Sequence, residues 1–175
     1  FEPGNPQEGY SPSPQERQSW LQISYMKEAY HTMGPKFTLG WMAEALYSSK
    51  NFSENYTATM MQAGEFAPTP HSKLMYNEAF RANQYVAAGI KPIYVLNDMF
   101  QFRTEFYGFT PIFPIKKNAL NKAYYGKAFS RFEYMGEVSV ICHLPFGAIS
   151  AYVNHYSSPR REWNVGMTIG WQLFN

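Results

Sequence analysis

From Trp163 to Leu173 the chain alternates almost without a break. Trp163, Val165, Met167, Ile169, Trp171 and Leu173 fall on one parity, and Asn164, Gly166, Thr168, Gly170 and Gln172 on the other. A period of two is the signature of a strand with one apolar and one polar face. The distribution of bulk constrains the fold further. The apolar side carries an indole near each end with aliphatic residues between, whereas the other side is small or polar. A soluble core strand seldom places tryptophans at both ends, but a strand that crosses a bilayer does, because aromatic side chains settle at the two interfaces.

The same alternation recurs upstream. Leu21, Ile23, Tyr25 and Ala29 oppose Gln22, Ser24 and Glu28, with Lys27 breaking the apolar side at a position where its stem can snorkel. After the turn His31–Lys36, residues Phe37, Leu39, Trp41, Ala43, Ala45 and Tyr47 oppose Thr38, Gly40, Met42, Glu44 and Ser48. Val86, Ala88, Ile90 and Tyr94 define a third strand, weakened by Pro92, which has no N–H for a ladder. Beyond the Asn97–Asp98 turn, Phe100, Phe102, Phe106 and Gly108 oppose Gln101, Arg103, Glu105 and Tyr107. Val138, Val140, Cys142 and Leu144 face away from Glu137, Ser139 and His143, and a turn at Leu144–Gly147 leads to Ile149, Ala151 and Val153.

This predicts an all-β chain of about seven antiparallel transmembrane strands belonging to a barrel. Residues 1–18 read as a proline-rich loop, 19–48 as a hairpin and 49–83 as a long lumen or external loop with a brief strand at Tyr56–Met61. Residues 84–110 read as a second hairpin, 111–132 as an external loop, and 133–175 as the last three strands. Long connections alternate with short turns, as external loops and periplasmic turns do. Seven strands leave two edges, which hydrocarbon does not tolerate, so upstream strands or further copies are expected to complete the wall. Phe1 is no initiator residue, and the chain reads as a piece of a longer product.

Composition narrows the function. Aromatic residues make up 18% of the chain, yet mean hydropathy is only -0.41, a combination suited to strands with one apolar face. No apolar run reaches the roughly 20 residues that a spanning helix needs. The net charge of +2 is spread along the chain, which gives no electrostatic footprint for nucleic acid. No nucleophile elbow, phosphate loop or paired-cysteine metal pattern occurs, and His31, His71, His143 and His155 lack ligand spacing. Cys142, the single cysteine, reads as a plain thiol on an apolar strand face. Glu28, Glu44, Glu105 and Glu137 all fall on the polar face beside Lys91 and Arg103, which points to charge pairing rather than to acid–base chemistry. No catalytic residue, cofactor or metal is expected in this segment. Trp41, Trp163 and Trp171 are the expected lipid-interface aromatics.

Several short motifs resemble a known superfamily. Met135–Val140, Leu144–Gly147 and Trp163–Gly170 are similar to the last strands of the outer-membrane assembly-factor and two-partner-secretion barrels, which have about sixteen strands. Phe80-Arg81-Ala82-Asn83 stands where those proteins carry a lumen loop, with Ala82 in place of the family's glycine. More closely, Phe80–Asn83, Gly89–Tyr94, Phe102–Glu105, Ala123–Lys127 and Gly170–Phe174 resemble the C-terminal region of patatin-like phospholipases from Bacteroidetes.

The resemblance implies a barrel that anchors a lipid acyl hydrolase in the bacterial outer membrane. Its Ser-Asp dyad would lie on an N-terminal domain outside these residues. The implied partners are outer-membrane lipid, the upstream remainder of the barrel, and the barrel-assembly machinery. Arg81 is implied to lock the lumen loop by pairing with an acid on the wall, first Glu105 and second Glu137. A transport or assembly barrel without an enzyme is the alternative. A soluble ligand-binding β-barrel is the second, and it requires the tryptophan-bearing face to be buried.

Overall fold

In a computed structural model, which describes residues 19–53, 55–158 and 163–171, seven long strands form one antiparallel sheet. They are β1 (Gln22–Thr32), β2 (Phe37–Ser48), β5 (Gln84–Val95), β6 (Phe100–Pro111), β9 (Glu133–Leu144), β10 (Gly147–Tyr156) and β11 (Trp163–Trp171). Their order in the sheet is their order in the chain, so each strand pairs with its sequence neighbour. The sheet is not closed, and β1 and β11 are its edges among the described residues.

Short turns fix the register at one end. Met33 N–H donates to the Phe37 carbonyl at 2.9 Å, and Asn97 Oδ1 accepts from the N–H groups of Met99 and Phe100 at 3.0 and 2.8 Å, an Asx turn that mimics a backbone reversal. Pro92 does not break β5. It sits opposite Leu39 of β2, and the ladder to β6 skips Lys91 and Pro92 before resuming in the same register at Ile93↔Arg103.

The two long connections carry structure of their own. Residues 49–83 hold the helix α1 (Tyr56–Gln62), the strand β3 (Gly64–Glu65), two 3₁₀ turns at Ser72–Leu74 and Glu78–Phe80, and the strand β4 (Arg81–Ala82) paired with β3. The brief strand expected at Tyr56–Met61 is therefore a helix. Its cause is local: Asn55 caps it by accepting from Ala58 N–H at 2.8 Å, and Tyr56, Met60 and Ala63 share one face that packs on Phe52, Ile115 and Ala123. Residues 111–132, expected as a plain loop, form the hairpin β7 (Ile115–Lys117) with β8 (Ala123–Tyr125).

The sheet's two faces are sorted by polarity in an inverted sense. Val86, Ile90, Phe102, Phe106, Val138, Val165, Met167 and Ile169 are all exposed, whereas Lys91, Glu105, Glu137, Ser139 and Asn154 are buried. Of the charged residues in the seven long strands, only Lys27 lies on the outer face, where its ammonium sits 5.7 Å from the centre of the Trp41 ring.

The core occupies the inner face and is built jointly by strand and loop. Tyr85, Tyr107, Phe109, Met135 and Tyr156 from the sheet enclose Phe66 and Phe80 from residues 49–83. The polar face read from sequence is thus not wet throughout. At its long-loop end it carries an apolar aromatic layer, because the inserted segment needs a wall to pack on.

Candidate functional site: the inner face and its inserted loop

Phe66 is the point where the inserted segment meets the wall. Its ring stacks on Phe109 at 5.8 Å and meets Tyr107 edge-on at 6.0 Å, and it is 1% exposed. Phe80 joins the same layer through Phe109 and Tyr156. Polar bonds fix the orientation. Tyr85 O–H donates to Glu44 Oε1 at 2.6 Å and reaches the Glu65 carbonyl at 3.2 Å. His71 Nδ1 lies 2.8 Å from the Tyr156 hydroxyl, and the imidazole is set between the Tyr152 and Tyr156 rings. Burial pushes His71 below the usual imidazole range.

Arg81 does not pair with Glu105 or Glu137. Its Nη2 is 2.5 Å from Glu65 Oε2, directly across the β3–β4 ladder. Its Nη1 donates to the carbonyls of Met60, Met61 and Ala63 at 3.4, 3.2 and 3.3 Å. Those carbonyls belong to the C-terminal end of α1, where backbone acceptors have no intrahelical donors and where positive charge is favoured. The guanidinium also covers the Tyr76 ring at 4.7 Å. Arg81 thus clasps the inserted segment to itself, and aromatic packing holds that segment to the wall.

Below the aromatic layer the inner face is a belt of charge. Lys91 pairs with Glu28 across Gly40, and Glu28 also accepts from the Tyr30 hydroxyl at 2.5 Å. Arg103 Nε is 2.6 Å from Glu105 Oε1, and Tyr107 O–H donates to the other oxygen of Glu105. Glu105 stands opposite Glu137, and Glu137 opposite Asn154. Both carboxylates are almost wholly buried, and among the described residues Glu137 Oε2 has no close hydrogen-bond donor. Sequence reasoning placed these groups on one face correctly but did not foresee that the two proposed lock acids are each other's cross-strand neighbours. A cavity of about 360 Å³ opens beside the belt, lined by Glu28, Glu44, Glu65, Lys73 and Lys91.

Tyrosines cover glycines in a repeated way along this face. Tyr30 pairs with Gly40, Tyr107 with Gly89, and Tyr152 with Gly166. A methyl group added at Gly89 would stand 2.1 Å from the Tyr107 ring, and one at Gly166 would stand 2.4 Å from Tyr152. The rings lie flat across the strands because the facing residue has no side chain, a device that pins register.

On the outer face, Phe106, Tyr134, His155 and Trp163 make a row of ring contacts over four successive strands, the first two pairs stacked and the last tilted, with centroids 6.0, 6.0 and 4.9 Å apart. Trp163 is 72% exposed. Trp41 is half-buried, with its indole N–H 3.4 Å from His31 Nε2. The Trp171 backbone closes β11 opposite Gly147, and its side chain lies outside the described residues. The proline-rich residues 1–18 and the stretch beyond Trp171 lie outside them as well.

Among the described residues, no group of three or more His, Cys, Asp or Glu is placed to hold a metal ion. No helix there is long and apolar enough to cross a membrane, which says nothing of crossing by strands. Comparisons with protein-family models, curated proteins and solved structures give no match to this chain.

Proposed function

We propose that this chain is part of the wall of a bacterial outer-membrane β-barrel, with its apolar face in lipid and its charged face and inserted loop in the lumen. The observation that carries the reading is the inverted polarity of the sheet. A soluble ligand-binding barrel requires Trp163 and its row to be buried, whereas Trp163 is the more exposed of the two described strand tryptophans. A row of aromatic rings in which Tyr134, His155 and Trp163 lie at strand ends suits a membrane interface. Strands of 9 to 12 residues match the length of a tilted bilayer crossing.

The edges β1 and β11 then pair with further strands, supplied by the upstream part of a parent chain. The resemblance of the short motifs to patatin-like phospholipases supports a parent in which the barrel anchors a lipid acyl hydrolase. In that parent, chemistry belongs to an upstream domain and these residues serve as anchor and plug, inserted with the help of the barrel-assembly machinery. An immunoblot of source outer membranes with an antibody to residues 160–175 tests this. A species several-fold heavier than the 20.2 kDa of this chain, with hydrolase motifs in its upstream sequence, is expected. A heavy species lacking them would favour the transport or assembly barrel, and a 20.2 kDa band in the soluble fraction would overturn the reading.

A further inference from the structure

The β7–β8 hairpin and the residues after it are the strongest unexplained feature of the surface. From Ile112 to Phe132 the chain contains Lys116, Lys117, Lys122, Lys127 and Arg131 and not one acidic residue. Arg131 turns inward to the Ala79 carbonyl and Glu133. The four lysines are exposed and, among the described residues, have no ion-pair partner. Large apolar side chains stand beside them in water: Leu120 is 78% exposed, Phe129 62% and Phe132 63%.

Two attachments hold this segment in place. Ile115 is buried against Met60 and Ala63 of the inserted loop. Phe132 lies on the outer face, so close over Gly108 that a methyl group there would meet its ring at 3.0 Å, and with Val86 and Ala88 it lines a shallow cavity on that face. The basic hairpin is therefore continuous with the apolar outer face and sits at its long-loop rim. Lysines with exposed aromatic and aliphatic neighbours at such a boundary can bury their stems and present ammonium groups to phosphate.

We infer that residues 112–132 form an interfacial shelf that docks on anionic, phosphate-bearing lipid headgroups beside the wall. Nucleic acid or another soluble polyanion also suits lysine and tyrosine, but only a lipid surface would engage Phe132 on the outer face at the same time. The inference rests on the barrel reading for its geometry, although its test does not depend on insertion.

The full chain is mixed with vesicles of phosphatidylcholine alone or with added phosphatidylglycerol. Insertion is scored separately by resistance to alkaline carbonate, and acylation of each lysine is followed by mass spectrometry. Each lysine near an anionic surface contributes about fivefold in partitioning. The acylation of Lys116, Lys117, Lys122 and Lys127 is therefore expected to slow at least about fivefold on the anionic vesicles. The protection should vanish at 0.5 M salt and leave Lys27 unaffected. A variant with all four changed, K116Q/K117Q/K122Q/K127Q, is expected to lose its preference for anionic vesicles. Insertion with equal labelling in both vesicles would overturn the shelf and leave the barrel standing. Protection on anionic vesicles without insertion would support the shelf, because the open sheet needs further strands before it can enter hydrocarbon. Protection by soluble heparin but by neither vesicle would overturn the shelf in favour of a polyanion partner.

Discussion

Arg81 shows how a residue can be recognised from its surroundings in sequence while its partner is not. It was expected to reach the wall, yet it satisfies three carbonyls at the end of α1 and the Glu65 carboxylate beside it. Glu65 lies outside the long alternating strands, so no periodicity flagged it. Charge-assisted bonds of this kind are worth roughly 1.5 to 3 kcal/mol. Arg81→Ala is therefore expected to free the inserted segment, raising protease cleavage within residues 55–83 while the long strands stay protected. Unchanged cleavage would show that aromatic packing alone holds the loop. His71 gives a pH dependence at the same place. Its pKa is depressed by burial, so the released loop binds a proton more readily than the docked one. Docking is then fully stable above the ordinary imidazole value of about 6.5 and weakens as pH falls below it. The same protease assay at pH 7.5 and pH 5.5 should show the difference, and His71→Gln should abolish it.

For whole strands the alternation was sufficient. Every long strand lies where the pattern placed it, within a residue or two at most ends, because a one-residue slip would move the entire apolar set to the other face. Segments without a period of two were less legible. The α1 helix had a signal in Asn55 followed by Tyr56, Met60 and Ala63, but seven residues are too few for a helical period to stand out. The aromatic layer of the inner face is hidden in the sequence because Tyr107 and Met42 alternate with the apolar side and so fall on the polar parity, and only the inserted loop makes them core. The tyrosine–glycine pairs allow a direct check on register. Gly89→Val forces the buried Tyr107 ring aside, an overpacking expected to cost about 1 to 3 kcal/mol. Tyr107→Ala in the same chain should relieve part of that, so a double-mutant cycle in unfolding experiments reads a coupling energy. On β11, Ile169→Arg places a charge on the outer face and should cost about 2 to 4 kcal/mol in a bilayer. Thr168→Arg, one residue away on the other face, should be nearly neutral, and equal costs would contradict the sorting of the two faces.

The molecule as a whole is an open seven-stranded sheet whose buried side is partly charged and whose exposed side is apolar. That arrangement is unfavourable in water and favourable where lipid covers the outer face and further strands complete the wall. On the proposed reading, the edges that β1 and β11 leave among the described residues, and the cavity beside Lys91, belong to a lumen that further strands complete. What the sheet faces is directly measurable. With Cys142→Ser as background, Val138→Cys places a spin label in mid-strand, at a position that is 52% exposed on the outer face. In the full-length parent protein reconstituted in lipid vesicles, its collisions with oxygen are expected to exceed those with a water-soluble nickel chelate, as for a side chain in hydrocarbon. A label reached more readily by the nickel chelate would contradict the membrane reading at its root.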